Sequence, residues 1–404
     1  MTLQDAYSRA EAFLASRGIE DAAVDAWYLL EYATGISRAA FLADRDKCMS
    51  EEQRDAYAAL VDRRGAHIPL QHLTGEQEFM GLPFLVNEHV LIPRQDTETL
   101  VELALETLER TAAVPTEYEP DILQKGAEKG LIQEPVQNNA RELRILDLCT
   151  GSGCIAVSLA KLWEQHYSKP SWQPRQEMQT DRSSSQPRQE MQTDRSSSQP
   201  QQEMQTDRSS CQPQQEIRTD GNSRLSRQER RSGQTTAVKL RVIASDISEE
   251  ALRAARENAR RLQADVQFVR SDLFSAFRAD ASSSMRDMDA AEEVGDHAVK
   301  NRFHMIVSNP PYIRSSVIEE LSEEVRAHEP RMALDGGEDG LDFYRKIIRE
   351  SRDYLLPGGW LLLEIGFDQG EAVSELMRQN GFSKIQVTKD LPGLDRVVSG
   401  QIAP

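Results

Sequence analysis

The sequence predicts an α/β chain, a largely parallel sheet with helices on both faces behind a small helical domain. Three observations carry that reading. From Leu143 onward, the apolar runs LRILDLC, LRVIASDI, VQFVRSD, FHMIVSN and WLLLEIG each end in a turn. Helical patterns separate them, as expected of parallel strands joined by crossovers. The last two runs, KIQVTKDL and DRVVSGQ, are joined only by a short loop around Pro392-Gly393. So short a link cannot carry a crossover, and this pair is expected to be antiparallel. Residues 1–62, by contrast, have helical periodicity throughout.

Taken in order, Ala6, Ala10, Phe13 and Leu14 share one face of a first helix, and Trp27, Leu30 and Tyr32 mark a second that stops near Gly35. The stretch 79–92, FMGLPFLVNEHVLI, holds two apolar segments split by Leu82-Pro83 and Asn87-Glu88, which suggests a hairpin. A helix should follow from Asp96 to Arg110, capped by Asp96-Thr97. The expected domains are a helical substrate-recognition domain at 1–78, a hairpin and connecting helix at 79–111, an acidic linker at 112–141, and the sheet domain at 142–404.

Two insertions interrupt the sheet domain. Residues 173–224 repeat with a 13-residue period, QPRQEMQTDRSSS degrading to QPQQEIRTDGNSR. A unit holding a single Met or Ile buries too little apolar area to offset chain entropy, so the segment near 165–237 is expected to be disordered. The second insertion is an acidic loop near 279–301. Long loops are tolerated because closure entropy grows slowly with length.

Composition narrows the function classes. The 404 residues are 39% hydrophobic and 28% charged, and runs such as Trp360–Leu363 are far too short to span a bilayer. The first residues lack the basic start and apolar core of a signal peptide, so a cytoplasmic protein is expected, with no membrane contact. A net charge of −18 argues against gripping phosphate backbones, and no direct nucleic-acid binding is expected. Four cysteines and seven scattered histidines match no metal-ligand spacing, so no metal is predicted. A monomer is expected.

Four strand ends carry the candidate chemistry. Asp147-Leu148-Cys149-Thr150-Gly151-Ser152-Gly153 runs from a strand into a glycine-rich turn and then the helix CIAVSLAKLW. There the backbone can approach a ligand closely, and the helix start offers free N–H groups. Asp246 closes the next strand, where a carboxylate can accept both hydroxyls of a ribose. The 93 positions from Gly153 to Asp246 fall to 20 once the 73 residues 165–237 are excised, which restores the spacing of a nucleotide-binding fold. A helix cap is the bland alternative for Asp246. After the following strand, Asp272 could reach an adenine amine while Leu273 covers the ring.

The fourth strand end is Asn309-Pro310-Pro311-Tyr312. An amide nitrogen is a poor nucleophile because its lone pair is delocalised, so it must be held with that lone pair facing a methyl donor. The Asn309 side-chain oxygen and the Pro310 carbonyl could bind its two N–H groups, with Tyr312 against the amide plane. Consecutive prolines preset the backbone that carries these acceptors.

Together with PLQHLTGEQEFMGLPF at 69–84, VLIPRQDTETLVE at 90–102, EPRMALDGGEDGLDFYRKI at 329–347, LLPGGWLLLEIGFDQG at 355–370 and DLPGLDRVVSGQ at 390–401, these sites resemble the protein-(glutamine-N5) methyltransferases that modify peptide chain release factors. The resemblance implies a Rossmann-like, seven-stranded class I methyltransferase sheet and S-adenosyl-L-methionine as cofactor. It implies that Cys149, Thr150, Gly151, Ser152, Gly153, Asp246, Asp272, Leu273 and Asn309 line the cofactor site. Asn309, Pro310, Pro311 and Tyr312 would hold the glutamine of a Gly-Gly-Gln loop on the release factor, with Asn309, Pro310 and Tyr312 as the catalytic set. A ribosomal-protein glutamine methyltransferase and an adenine-N6 nucleic-acid methyltransferase use related chemistry, and a non-catalytic cofactor-binding scaffold is a third alternative. The chain departs from the family pattern at Cys149, where glycine is common, and at Leu273, where an aromatic residue is common. The 13-residue repeats are foreign to the family.

Overall fold

The computed structural model describes residues 1–113, 142–166, 238–278 and 302–404. The acidic linker beyond residue 113, the 13-residue repeats and the acidic loop lie outside the described residues.

Helices open the chain: α1 (Leu3–Ser16), α2 (Ala22–Thr34), α3 (Arg38–Ala43), α4 (Glu51–Gly65) and α5 (Leu70–Thr74). Thr2 and Asp5 form a reciprocal capping box at α1, and Ser50 and Gln53 form another at α4. Each box satisfies two N–H groups that a helix start otherwise leaves unpaired. Gly35 ends α2 in the left-handed conformation, as its position in the sequence implied. Leu3, Ala6, Ala10 and Leu14 form the buried stripe of α1 and pack with Trp27, Leu29 and Leu30. Tyr32 faces solvent instead of joining that core, and Phe13 is only partly buried. Tyr57 closes the bundle by donating its hydroxyl to the Ala26 carbonyl at 2.9 Å.

The hairpin is displaced from its expected position. Strands β1 (Glu76–Phe79) and β2 (Leu82–Leu85) pair antiparallel around Met80-Gly81, while residues beyond Leu85 leave the sheet. Met80 and Gly81 both have positive φ, +53° and +70°. That geometry suits a two-residue hairpin turn, but Met lacks the usual turn chemistry, which hides it in the sequence. A 3-10 turn (Gln95–Thr97) then leads into α6 (Glu98–Ala113).

Seven strands form one sheet: β3 (Glu142–Leu148), β4 (Lys239–Asp246), β5 (Val266–Arg270), β6 (Phe303–Ser308), β7 (Leu355–Glu364), β8 (Ser383–Lys389) and β9 (Asp395–Gln401). Their order is β5-β4-β3-β6-β7-β9-β8. The first five are mutually parallel, and β9 is antiparallel to both its neighbours, as the short final loop required. Reversal of strand order between β3 and β6 opens a crevice at their carboxyl ends, where ligands sit in such sheets.

Period-two alternation divides the sheet's side chains between two cores. Leu143, Ile145, Met305, Val307 and Leu362 pack under α6, α7 (Cys154–His166) and α8 (Glu249–Leu262). Leu146, Leu148, Ile306, Leu361 and Leu363 pack on the other face against α11 (Asp342–Tyr354) and α12 (Gly370–Gln379). Each fully buried leucine of this kind contributes about 2 kcal/mol.

Between β6 and β7 the chain runs through the short helices α9 (Glu323–His328) and α10 (Arg331–Leu334). Arg64 of the bundle is 5% exposed and reaches three groups at once. It contacts Asp25 at 2.6 Å, Glu324 of α9 at 2.5 Å and the Ile68 carbonyl at 3.2 Å. Among the described residues no helix is long and apolar enough to cross a membrane.

Candidate functional site

The glycine-rich turn is held by the strands on either side of it. Thr150 donates its N–H to the Ser245 carbonyl at 3.0 Å and its hydroxyl to Asp147 at 2.6 Å. Gly151 has φ +54° and open space where a side chain would stand, so its backbone faces a cleft. A Cβ on Gly153 would meet that of Ala255 at 3.0 Å, so this glycine lets α7 and α8 pack closely. Cys149, where the sequence lacks the expected glycine, nevertheless takes φ +59°. Left-handed backbone is strained for a residue with a side chain. Leu273 takes φ +47°, so two of the residues assigned to the cleft carry such strain.

Asp246 stands at the tip of β4. Its Oδ2 accepts the Gly151 N–H at 2.9 Å and its Oδ1 accepts the Ser248 N–H at 2.9 Å. The cap of α8 is Ser248, whose hydroxyl accepts the Ala251 N–H, and the alternative role for Asp246 thus falls to its neighbour. The Asp246 carboxylate keeps acceptor capacity for a ligand. Burial raises its carboxyl above the usual range, against the pull of the Ser248, Gly151 and Ile247 amides.

The cleft, about 210 Å³, is walled by Cys149, Thr150, Gly151 and Ser152 on one side and by Asp246, Asp272 and Leu273 on another. Asn309 and Pro311 close it at the tip of β6. Four strand ends named from the sequence thus meet in one cavity. Three of the expected residues lie behind its surface: Gly153, Pro310 and Tyr312 do not line it. Burial pushes the Tyr312 phenol up to about 12, and Glu364 and Arg396 stand near it. The Tyr312 carbonyl accepts an N–H from Gln369 at 3.0 Å. A Cβ on Gly336 would fall 2.7 Å from the Tyr312 Cα, so the glycines that follow α10 let this loop fold onto Tyr312.

Several residues of the site escaped the sequence reading. Thr97, at the start of α6, accepts an N–H from the Asn309 Nδ2 at 3.3 Å. Glu364, at the end of β7, is 1% exposed and its Oε2 lacks a hydrogen-bond partner. Burial pushes its carboxyl up to about 7, although the Thr97 hydroxyl, Arg396 and the Asn309 amide pull it down. Asn258 of α8 is fully buried and bonds the Leu85 backbone at 2.7 and 3.0 Å and the Ser152 carbonyl at 2.9 Å. One side chain therefore joins the hairpin to the glycine-rich turn. Arg94 lines the cleft and pairs with buried Glu329. Phe343 and Lys346 of α11 complete the wall. Asp147 is fully buried, and burial pushes its carboxyl up to about 7. Among the described residues no group of three or more His, Cys, Asp or Glu could hold a metal ion.

Comparison with known proteins addresses the whole chain. Residues 5–75 match the family model described as the PrmC N-terminal domain. The chain is 31% identical over 401 residues to the release factor glutamine methyltransferase of Geobacter sulfurreducens, covering 99% of this chain and 97% of that one. It is 33% identical over 399 residues to the enzyme of the same name from Moorella thermoacetica, covering 98% and 97%. Among solved structures, it is similar to a release factor-specific protein-(glutamine-N5) methyltransferase from Alicyclobacillus acidocaldarius. There the identity is 20% over 78% of this chain and 95% of that one, with a TM-score of 0.30. With about a third of its positions identical along nearly the full length of both relatives, and with the helical and sheet domains in place, the chain belongs to the release factor glutamine methyltransferase family.

Proposed function

We propose that this enzyme transfers the methyl group of S-adenosyl-L-methionine to the side-chain amide nitrogen, N5, of the glutamine in the Gly-Gly-Gln loop of class 1 peptide chain release factors. The observation that carries this reading is the convergence of Asp246, the glycine-rich turn and Asn309 on one cleft.

The residues present fit such a cofactor. The Asp246 carboxylate keeps acceptor capacity for ribose hydroxyls, and the open face of Gly151 admits close approach. Leu273 offers an apolar surface and Asp272 an acceptor for an adenine amine. When bound, the cofactor supplies an electrophilic methyl group on a sulfonium.

The chain's own part is orientation. With the Asn309 Nδ2 committed to Thr97, its Oδ1 is the atom left to accept an N–H from the substrate amide. The Pro310 carbonyl is the second acceptor in this reading, and the Pro310-Pro311 backbone holds the two at fixed spacing. Tyr312 acts here from behind the cleft, keeping the loop in shape. Holding an amide so that its lone pair faces the methyl group can lower the barrier by about 7 kcal/mol or more. Transfer would form the C–N bond as the sulfonium S–CH3 bond breaks and S-adenosylhomocysteine leaves; the nitrogen, then strongly acidic, would give its proton to water, so no base has to prepare it. The helical domain, 1–78, would grip the protein substrate in the cytoplasm.

Incubation with methyl-labelled cofactor and purified release factor, ribosomal subunits or DNA tests the reading. Label is expected on one glutamine of the release factor. Label on a ribosomal protein or on adenine in DNA would overturn it.

A further inference from the structure

We propose that Glu364, acting with Thr97, is the positioning residue that fixes which way round the Asn309 amide sits, and so decides that the cleft offers the substrate an acceptor. This inference rests on the proposed function, because it concerns the atom that receives the glutamine N–H.

The argument begins with strand geometry. Alternation along β7 puts Glu364 on the same face as Leu362, the face covered by α6. The turn before α6 brings Thr97 to that spot, and the end of β6 brings Asn309. Thr97 and Asn309 are 2% exposed and partly buried respectively, and Glu364 is 1% exposed. Water is therefore a poor competitor for the hydrogen bonds among the three.

With Glu364 ionised, donor chemistry favours one arrangement. A threonine hydroxyl has a single hydrogen, and an ionised carboxylate can only accept. The Thr97 oxygen accepts from the Asn309 Nδ2 at 3.3 Å, which leaves its hydroxyl hydrogen free to turn toward Glu364, whose buried Oε2 has no hydrogen-bond partner. The Asn309 amide lies close enough to the same carboxyl to hold its pKa down. The Asn309 NH2 therefore points to the buried side, toward Thr97 and the carboxylate, and Oδ1 is left to face the cleft. Were Asn309 turned over, its Oδ1 would meet a carboxylate, two acceptors with no hydrogen between them. The cleft would then present a donor, which repels the N–H of a substrate amide.

Other charged groups bear on the same carboxylate. Arg396 from β9 and Asp96 beside Thr97 act on it through space. Tyr312 stands on the loop that follows Asn309, and the Tyr344 hydroxyl of α11 donates to the Glu364 backbone carbonyl at 2.8 Å. Glu364 does not line the cleft, so its effect on bound molecules passes through Asn309.

The test is a kinetic comparison in the full chain of Glu364→Gln, Thr97→Val and Thr97→Ser, with purified release factor as substrate. Glu364→Gln keeps the shape but supplies donors opposite the Asn309 Nδ2, and should lower kcat about 100-fold. Its KM for release factor and its Kd for S-adenosylhomocysteine by calorimetry should move less than about 3-fold. Thr97→Val should lower kcat about 10-fold, and Thr97→Ser should return it to within about 2-fold of wild type. A folded Glu364→Gln enzyme with wild-type kcat overturns the inference while leaving the proposed function standing. If Glu364→Gln does not fold, the Thr97 pair decides, and Ser no better than Val overturns the inference. Wild-type enzyme that labels no release-factor glutamine overturns the proposed function and this inference with it.

Discussion

The Gly151 N–H lies 2.9 Å from the Asp246 carboxylate although 95 positions separate the two residues in the chain. This bond ties the turn after β3 to the tip of β4, which puts the carboxylate against the open face of the glycine. If Asp246 receives ribose hydroxyls, Asp246→Ala should weaken S-adenosylhomocysteine binding by about 10- to 100-fold, the worth of one or two hydrogen bonds to a charged group. Titration calorimetry measures this, and an unchanged Kd would remove Asp246 from the cofactor site.

Asn309 is the one polar side chain at the tip of β6 that both lines the cleft and is anchored from behind. Asn309→Ala should cut kcat about 1,000-fold, as removal of a preset polar contact does elsewhere. The Kd for S-adenosylhomocysteine should stay within about 3-fold of wild type, because other residues hold the cofactor. Equal losses of binding and rate would show that Asn309 acts mainly on the cofactor.

Cys149 at φ +59° predicts an asymmetric response to substitution. Cys149→Val, with a branched Cβ, should destabilise the fold by about 1–3 kcal/mol. Cys149→Gly releases the strain and should unfold at or above the wild-type temperature. Thermal unfolding followed by circular dichroism distinguishes them, and a Val variant as stable as the Gly variant would show that the backbone there is relaxed.

Glu364 and Asp147 predict a pH dependence with a definite sign. Burial pushes each carboxyl up to about 7, above its value in an unfolded chain. In that window the folded protein binds more protons than the unfolded one, so stability falls as pH rises. The contribution is fully present below about pH 4 and lost as pH passes through about 7. Asp147→Asn should therefore flatten the decline in melting temperature measured between pH 5 and 8. A melting temperature that rises over the same interval would contradict the buried, proton-holding state of these groups. Activity should move the other way, since the Asn309 orientation requires ionised Glu364: kcat should climb through about pH 7. Glu364→Gln should lack that limb.

Excision of 173–224 should leave kcat within about 3-fold, because loop length enters stability only logarithmically. A large loss, measured by methyl transfer to release factor, would give the repeats a part in catalysis or folding.

What could be read in advance follows from what is local. Asp147 to Gly153, Asp246 and Asn309 sit where a strand pattern stops, and a stop is visible in a single run of residues. The antiparallel pair was legible from loop length alone. Thr97, Asn258 and Glu364 were not, because each acquires its role from partners far away: 212 positions from Thr97 to Asn309, and 173 from Leu85 to Asn258. Glu364 reads in the sequence as the polar end of an apolar strand, and only the packing of α6 shows what it faces. The hairpin at 76–85 was misplaced because a Met-Gly turn resembles a break in an apolar run. The cleft's strain was half-visible: the missing glycine at Cys149 could be noticed, but not that the backbone would keep glycine's conformation.

Arg64 grips Asp25 inside the helical bundle and Glu324 on the chain between β6 and β7, so a single guanidinium belongs to both bodies. Swinging them apart would take from the buried Arg64–Asp25 pair its third partner, the partly exposed Glu324. The bundle and the chain that follows Asn309 are therefore tied to each other through this guanidinium. On the proposed function, a folded substrate domain can be held at two points, whereas a short free peptide carrying the same glutamine is held at one.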